Sequence, residues 1–431
     1  MDIDYQKLRL DGIYQQSLAG DLMLRVKIPA GVLSSDQAEK ICTVSEQFSN
    51  ALLHLTSRGS IEFHWLQFAD LPQIVAMLSA VGLTSRGACG GAVRGVSCSS
   101  SFSADFGIVQ ALARKLHRHF AGNPHFEGLP KKFKIGVDAG YDDARHLIQD
   151  IGLVYTETVD SVHLYDVWCA GGLGREPQAA ILYEQAVPEH ELISLIEAVV
   201  RVYAQNTPPP KRLKFLLNQI GEAPLREKIE AGRRHGTEME PRETLDGPLT
   251  LPGDDPVEIP VFAGELKMSN LLLLAGLARE HGNGFLALSA DQNILLPLQK
   301  ESDRPLLQQR LKSAGLLNDL AENRIRFRVC PGNHECRMGL SPTRDVARQI
   351  CQALGDKQPT GTLAISGCSN GCSQPQLAAL GIITRKSVKQ EDGTRTPLFD
   401  LLRRSGAGFG EIIQENLDLS GLLAAIAQES Q

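Results

Sequence analysis

The sequence has no run of apolar residues long enough to cross a bilayer. Its longest apolar stretch, around Leu271–Ala278, falls well short of the roughly 20 residues that a membrane-spanning helix needs. Residues 1–10 alternate charged and apolar side chains and lack the apolar segment of a signal peptide. These two absences predict a cytoplasmic protein with no membrane partner.

The chain also lacks a surplus of positive charge. It has 44 Lys and Arg against 50 Asp and Glu, a formal net charge of -6, so nucleic acid is excluded as a general partner. Hydrophobic residues at 42% and charged residues at 22% are ordinary for a globular protein and show no bias towards disorder. A length of 431 residues predicts two or more domains, or one duplicated domain.

A complete dinucleotide-binding glycine motif is absent as well. Residues 171–174 and 406–410 are rich in glycine, but neither carries the full G-x-G-x-x-G pattern with an acidic residue downstream. We therefore reject a Rossmann domain. No flavin or nicotinamide domain is recognisable, so a redox reaction of this chain would take its electrons from another protein.

Nine cysteines without a secretory signal argue against a disulfide framework. Four of them form a C-x5-C pair and a C-x3-C pair, a spacing that favours an iron–sulfur cluster over zinc, whose pairs are usually closer. Zinc, or four unrelated buried cysteines, stays an alternative on spacing alone. The four are Cys330, Cys336, Cys368 and Cys372, and the others, including Cys89 and Cys98, are interpreted as packing thiols.

The chain repeats itself at an offset of 233 residues. Asn50 falls on Asn283 and Ile61 on Ile294, among many matches at the same offset. This repeat predicts two copies of one α+β unit, joined near the proline run at 208–210.

Hydrophobic periodicity predicts the elements of the first copy. A strand at 24–28 precedes two strands near 53–55 and 61–65, the second with Ile61, Phe63 and Trp65 facing inward. A helix starts after Asp70, and two longer amphipathic helices cover 109–120 and 192–203. The pattern predicts mixed sheets with helices on one side, and a cleft between the two copies.

Basic residues cluster on predicted strand faces of the first copy. Lys132 and Lys134 share one face of a strand, and Arg25 and Lys27 share one face of another. Arg94 ends a loop with three glycines, where backbone can approach a ligand closely. Half-exposed polar strand faces are the alternative interpretation. Basic residues of the first copy are mostly lost from the second, where Arg25 aligns with Glu258 and a further arginine, Arg58, aligns with Asp291.

Four further short motifs each carry a basic residue or a histidine. They are Leu55-Thr56-Ser57-Arg58, Phe63-His64, Val93-Arg94 and Leu129-Pro130-Lys131-Lys132-Phe133-Lys134. With the cysteine motif, and over about Gly20 to beyond Phe409, the chain resembles the siroheme-dependent sulfite and nitrite reductases, closest to the sulfite reductase type. That family has a duplicated fold, in agreement with the internal repeat.

The resemblance implies an α+β fold of ferredoxin-like half-domains plus siroheme and iron–sulfur catalytic domains, with pseudo-twofold symmetry. It implies siroheme and a [4Fe–4S] cluster as cofactors. The cluster ligands would be Cys330, Cys336, Cys368 and Cys372, with Cys372 also the axial ligand of the siroheme iron. The residues that bind the anion and supply protons would be Arg25, Arg94, Lys132 and Lys134. Those that contact siroheme or shape the cluster loop would be Arg58, His64, Lys131 and Asn370.

Three positions depart from the enterobacterial-type pattern. His54 replaces an arginine, Glu62 a glutamine and Ser369 a proline. Glu62 would need a cation or a proton beside a polyanionic macrocycle. The domains implied are a first half-domain at 1–84, a first catalytic domain at 85–205, a linker at 206–250, a second half-domain at 251–320 and a second catalytic domain at 321–431.

The predicted reaction is the six-electron reduction of sulfite to sulfide. Lys134 favours sulfite, because the resembled nitrite enzymes tend to have asparagine there and a further cation favours a dianion. The alternatives are nitrite reduction to ammonia, the oxygen-dependent ring contraction of cobalamin synthesis, and electron transfer by a cluster protein without siroheme. The predicted partners are the small oxyanion and an external donor, either ferredoxin or a flavoprotein subunit.

Overall fold

The protein is described by a computed structural model that covers residues 3–99, 105–233, 256–318, 320, 324–357, 359 and 361–429. The strands are β1 Ile13–Gln15, β2 Leu22–Lys27, β3 Val32–Ser34, β4 Leu52–Leu55, β5 Ser60–Leu66, β6 Ser97–Cys98, β7 Ile135–Asp138, β8 Ile151–Val159, β9 Val162–Cys169, β10 Ile181–Pro188, β11 Val257–Ile259, β12 Glu265–Lys267, β13 Phe285–Leu288, β14 Ile294–Leu296, β15 Phe327–Val329, β16 Leu363–Ser366, β17 Leu380–Lys389, β18 Arg395–Arg403 and β19 Glu411–Leu417. The α-helices are α1 Tyr5–Leu8, α2 Ser35–Phe48, α3 Leu71–Ser79, α4 Phe106–Phe120, α5 Leu192–Asn206, α6 Leu213–Ile220, α7 Glu222–Arg233, α8 Met268–His281, α9 Arg304–Ser313, α10 Thr343–Leu354 and α11 Leu419–Glu429.

The internal repeat appears in the structure at the predicted offset. Helices α2 and α8 begin and end 233 residues apart, as do strands β3 and β12 and strands β4 and β13. Ala30 and Ala263 also share a left-handed backbone, with φ of 54° and 53°. The duplication is therefore confirmed element by element in the half-domains.

The two half-domains exchange a strand. One sheet has the order β1-β2-β5-β4-β12 and the other β11-β14-β13-β3, so each copy contributes one edge strand to the other. Leu266 of β12 lies opposite Leu53 of β4, and Leu33 of β3 lies opposite Leu286 of β13. Residues of both copies consequently share one hydrophobic core.

The two larger sheets have the same topology. Their orders are β10-β9-β8-β7-β6 and β15-β16-β17-β18-β19. In each sheet three adjacent strands run parallel and two further strands are antiparallel. Loops that follow parallel strands meet at one edge of a sheet, and ligands commonly bind there.

The predicted amphipathic helices are present. Val109, Leu112, Leu116 and Phe120 of α4 are buried, as are the apolar positions of α5. Residues 213–233, within the segment expected to be a linker, instead form α6 and α7. Their apolar residues join the core of the first large sheet, because burying them against α5 removes them from water. Residues 234–250 of that segment lie outside the described residues.

Trp65 does not face inward as the alternation predicts. Its side chain is 38% exposed, whereas Ile61 and Phe63 on the same strand are fully buried. A bulge shifts the pairing between β2 and β5 at this point, and Trp65 has a φ of 63°. An extra residue at a bulge reverses the alternation of side chains, so the strand pattern fails there.

Candidate active site

The two cysteine pairs lie at the ends of neighbouring parallel strands. Cys330 follows β15 directly, and Cys368 comes two residues after β16. The backbone N–H of Gly367 donates to Cys330 Sγ at 3.1 Å. A Cβ at Gly367 would lie 3.0 Å from the Cα of Gly332, so the two cysteine loops pack backbone to backbone.

N–H groups also donate to two further sulfurs, those of Cys336 and Cys368. Cys336 accepts from Met338, and Cys368 accepts from the backbone and the side chain of Asn370. Burial raises the pKa of Cys336 to about 11 and raises the pKa of Cys330 and Cys368, with the charge of Cys372 adding to each shift. Four sulfurs that interact electrostatically, three of them with N–H donors aimed at them, are the kind of donors that an iron–sulfur cluster takes.

All nine cysteines are free thiols in the structure. Within the ranges that the structure describes, no three His, Cys, Asp or Glu side chains are arranged to hold a single metal ion.

The first copy reaches the second cysteine loop through the turn after β4. Ser57 Oγ donates to the backbone carbonyl of Cys372 at 2.8 Å, and the Gln374 side chain donates to the carbonyl of Ser57 at 3.0 Å. The predicted juxtaposition of a basic first copy and a thiol-bearing second copy is therefore present at this turn.

Lysine side chains of the first copy lie in the electrostatic field of these thiols. Burial lowers the pKa of Lys132 to about 8, and the charge of Cys372 opposes that shift. Burial and then Lys132 hold the pKa of Lys134 well below its usual value. Lys131, in contrast, is exposed, and its pKa is lowered by partial burial and then by Arg212.

Arg58 is fixed by protein acceptors. Its guanidinium donates to Gln149 Oε1 at 2.8 Å and to the carbonyls of Gly95 and Ile135 at 3.0 and 3.3 Å. Burial, followed by the nearby charges of Arg94 and Arg212, lowers the pKa of Arg58 to about 10. The predicted cations thus gather in one cluster with Arg212, in which Arg58, Lys132 and Lys134 are partly exposed.

Arg25 forms an ion pair with Glu62, the acid that was predicted to need a cation. Its Nε donates to Glu62 Oε1 at 2.7 Å, directly across the β2–β5 pair. Burial opposes ionisation of Glu62, but the groups around it, Arg25 foremost, together outweigh burial and lower the pKa of Glu62 to about 2. Glu62 therefore has the cation it needs. His64 is buried beside it, with Nδ1 3.3 Å from Gln16 Oε1 and Nε2 3.7 Å from Glu62 Oε2.

Three functional candidates were missed by sequence reasoning. Tyr14 is hydrogen-bonded to Cys89 and Arg94, and burial raises its pKa. Arg25 Nη1 lies 3.9 Å from Cys89 Sγ, so Cys89 lines the cation cluster, where a packing role was expected. Arg212, paired with Asp150 at 2.6 Å, comes from the expected linker and carries no motif that would have marked it.

The fold and the site define a class: a duplicated α+β protein with four thiols of one copy beside a group of cations of the other. Two family models match. The nitrite and sulphite reductase 4Fe-4S domain matches residues 93–235, and the nitrite/sulfite reductase ferredoxin-like half domain matches 14–81 and 256–314. Together the matches span more than half of the chain, and the chain belongs to the nitrite and sulfite reductase family. Cys330, Cys336, Cys368 and Cys372 lie outside the matched residues, so the family match does not test them as cluster ligands.

Curated relatives carry two substrate names. The chain is 25% identical to sulfite reductase [ferredoxin] 2 of Mycolicibacterium paratuberculosis, over 86% of this chain and 70% of the relative. It is 27% identical to the ferredoxin–nitrite reductase of Synechococcus elongatus, over 94% and 84%. A sulfite reductase [NADPH] hemoprotein beta-component of Acidithiobacillus ferrooxidans is 25% identical over 98% and 86%.

A solved structure shares the fold. The NirA protein of Mycobacterium tuberculosis superposes with a TM-score of 0.81 at 22% identity, over 98% of this chain and 85% of NirA. The predicted family and duplicated α+β fold are thus confirmed, as is the oxidoreductase class. Within the described residues, no helix has both the length and the apolar character to cross a membrane.

The residues fit the cofactors that the family implies. Lys134 has Lys132, Arg58 and Arg212 as charged neighbours, with Cys372 as the opposing group. Cations in excess need an anion, and a macrocycle with eight carboxylates supplies one. Free thiols with N–H donors suit a cluster. Family membership and the chemistry of these side chains both support siroheme and a [4Fe–4S] cluster.

Proposed function

We propose that the chain reduces sulfite to sulfide with siroheme and a [4Fe–4S] cluster, in the cytoplasm. The observation that carries the proposal is the contact between the cations of the first copy and the cysteine loop of the second. Lys132 and Lys134 of the first copy interact with Cys372 of the second, and Ser57 bonds the loop of Cys372. This arrangement would put a cationic pocket beside the redox group.

The cluster ligands in this proposal are Cys330, Cys336, Cys368 and Cys372, and Cys372 would be shared with siroheme. When bound, the two groups supply stored electrons and a metal that takes the substrate. Arg58, His64 and Lys131 would hold siroheme carboxylates, and Asn370 would fix the thiolate of Cys368 through its two hydrogen bonds.

The anion would be bound by Arg25, Arg94, Lys132 and Lys134. Reduction of the sulfite dianion to hydrosulfide consumes six electrons and seven protons and releases three waters. The half-buried ammonium groups of Lys132 and Lys134 would donate protons, because partial burial lowers the pKa of each and makes it a stronger acid. Arg25 contributes less positive charge than expected, since Glu62 neutralises part of it.

Electrons would come from a separate protein. The similar proteins are named for ferredoxin in two cases and for NADPH in the third. We propose a ferredoxin or a flavoprotein subunit as the donor. We also propose the domain division expected from the sequence, with α6 and α7 joined to the first catalytic domain.

Nitrite is the second candidate substrate, favoured by the Synechococcus relative that is named for it. Lys134 supports sulfite instead, because an additional cation stabilises a dianion more than a monoanion. The two candidates are separated by steady-state rates with reduced methyl viologen and either anion. Turnover of sulfite to sulfide is expected, and a clear preference for nitrite would contradict the proposal.

Lys134→Asn tests the residue that carries this choice. The change should lower kcat/KM for sulfite more than for nitrite, because it removes one positive charge from the pocket. The exposed Lys228→Asn is the matched control. An equal loss for both anions would remove the argument from Lys134.

A further inference from the structure

Arg344, on α10, is a buried arginine with three partners. It is 4% exposed, its Nη1 donates to Glu335 Oε1 at 2.8 Å, and its Nη2 forms an ion pair with Glu335 Oε2 at 2.7 Å. A guanidinium in contact with both oxygens of a carboxylate restricts where that side chain can lie. Glu335 immediately precedes Cys336, so this pair controls the end of the first cysteine loop.

The same guanidinium reaches the sheet of the first half-domain. It lies 2.9 Å from Glu265 Oε2 on β12, and its Nη2 is 3.5 Å from His54 Nδ1 on β4. Glu265 and His54 face each other across the two strands. Burial, together with Arg344, lowers the pKa of His54 to about 3 despite Glu62, so the ring is neutral and its Nδ1 accepts.

We infer that Arg344 is a positioning residue for Cys336, holding the loop that carries this thiol against β4 and β12. The inference rests on the proposed cluster. His54 on β4 offers only a ring nitrogen at this contact. Here α10 of the other copy delivers a guanidinium to the same strand, so the charge is supplied from across the interface between copies.

The physical consequence is electrostatic as well as mechanical. Loss of Arg344 leaves the carboxylates of Glu335 and Glu265 without their buried partner, at a large cost. Uncompensated negative charge beside an iron–sulfur cluster disfavours the added electron and moves the reduction potential to more negative values.

The experiment is an EPR-monitored redox titration of the purified holoenzyme, with iron and sulfide content measured in parallel. Arg344→Gln should shift the cluster potential to more negative values. The double variant Glu335→Gln/Arg344→Gln removes one charge of each sign and should return the potential towards that of the unaltered protein. Arg344→Lys keeps the charge but has no guanidinium to contact both oxygens of Glu335, and it should shift the cluster potential less. Arg233→Gln, at an arginine paired with Glu184 and Glu191, is the matched control.

An unchanged potential in Arg344→Gln with full cluster content would overturn the inference. Should that variant contain no cluster, recovery of cluster in the double variant supports the inference, and continued absence overturns it. Failure of the proposed function has a different signature: the unaltered protein would lack siroheme absorption or sulfite turnover, while the cluster potentials of the variants would still be measurable.

Discussion

Individual charged residues distinguish the two copies of the duplicated unit. Arg58 of the first copy corresponds to Asp291 of the second, and Asp291 pairs with Arg328 at 3.4 Å. Arg25 corresponds to Glu258, which accepts from Asn293 at 2.7 Å and pairs with Arg326. The second copy therefore neutralises its own charges, whereas the first keeps an excess of cations for a ligand.

Asp138, at the end of β7, is a buried acid with a consequence for stability. It is 5% exposed, and its Oδ2 has no hydrogen-bond partner among the described residues. Burial raises its pKa to about 7, against the opposing charge of Arg145. Ionisation is thus disfavoured in the folded state, so the stability associated with this group is complete below about pH 4 and is lost as pH rises through 7.

Asp138→Asn should raise the thermal midpoint more at pH 8 than at pH 5, because the amide has no charge to bury. The effect at pH 8 should be on the order of a few kcal/mol. Thermal unfolding of both proteins at the two pH values measures it, with the exposed Asp142→Asn in the same loop as the control. A gap between variant and parent that does not widen with pH would show that Asp138 ionises normally.

At the scale of elements, the cluster site is built from strand ends and tight loops. The parallel strands β15 and β16 bring Cys330 and Cys368 to one edge, and glycines allow the loops to touch. A Cβ at Gly339 would lie 2.3 Å from the backbone carbon of Gly332 and 2.4 Å from the nitrogen of Asn333. That space is closed to any side chain, so Gly339 sets the shape of the first cysteine loop.

Gly339→Ala should therefore reduce the iron and sulfide content of the purified protein several-fold. The methyl group forces the loop between Cys330 and Cys336 outward and moves a thiol away from its place. Gly276→Ala is the control, because a Cβ there meets nothing within 4 Å. Normal cluster content in Gly339→Ala would mean that the loop adapts without moving its cysteines.

At the scale of the whole molecule, the exchange of β3 and β12 joins the two copies into one cooperative body. Strand β12 of the second copy lies beside β4, and the turn after β4 carries Ser57 and Arg58. Packing in one copy thus supports the site residues of the other. A destabilising substitution in the exchanged strand β12 should therefore also disturb the site residues after β4.

Leu266→Ala tests this coupling. Leu266 is 2% exposed, and its truncation should cost about 2–5 kcal/mol of unfolding free energy. Siroheme absorption per chain should fall with it, because β4 loses the neighbour that supports its turn. Denaturant unfolding and the visible spectrum are the measurements, and Leu272→Ala, 46% exposed on α8, is the control. A loss of stability with full siroheme content would show that the exchanged strand β12 does not support the site.

The sequence by itself determined the repeat, the amphipathic helices and the set of thiols and cations, because periodicity and residue chemistry are local properties of the chain. Helix α4 illustrates this, since its buried face follows from apolar spacing alone. The sequence also indicated that Glu62 would need a cation beside it.

Only the tertiary structure decided which elements meet. A strand of three residues has no pattern that states which sheet it joins, so the exchange of β3 and β12 was invisible in the sequence. The bulge at Trp65, the pairing of Arg25 with Glu62, and the approach of Arg212 and Arg344 to the site depend on contacts between residues far apart in the chain. Such contacts arise from the packing of whole elements, and packing is a property of the folded molecule.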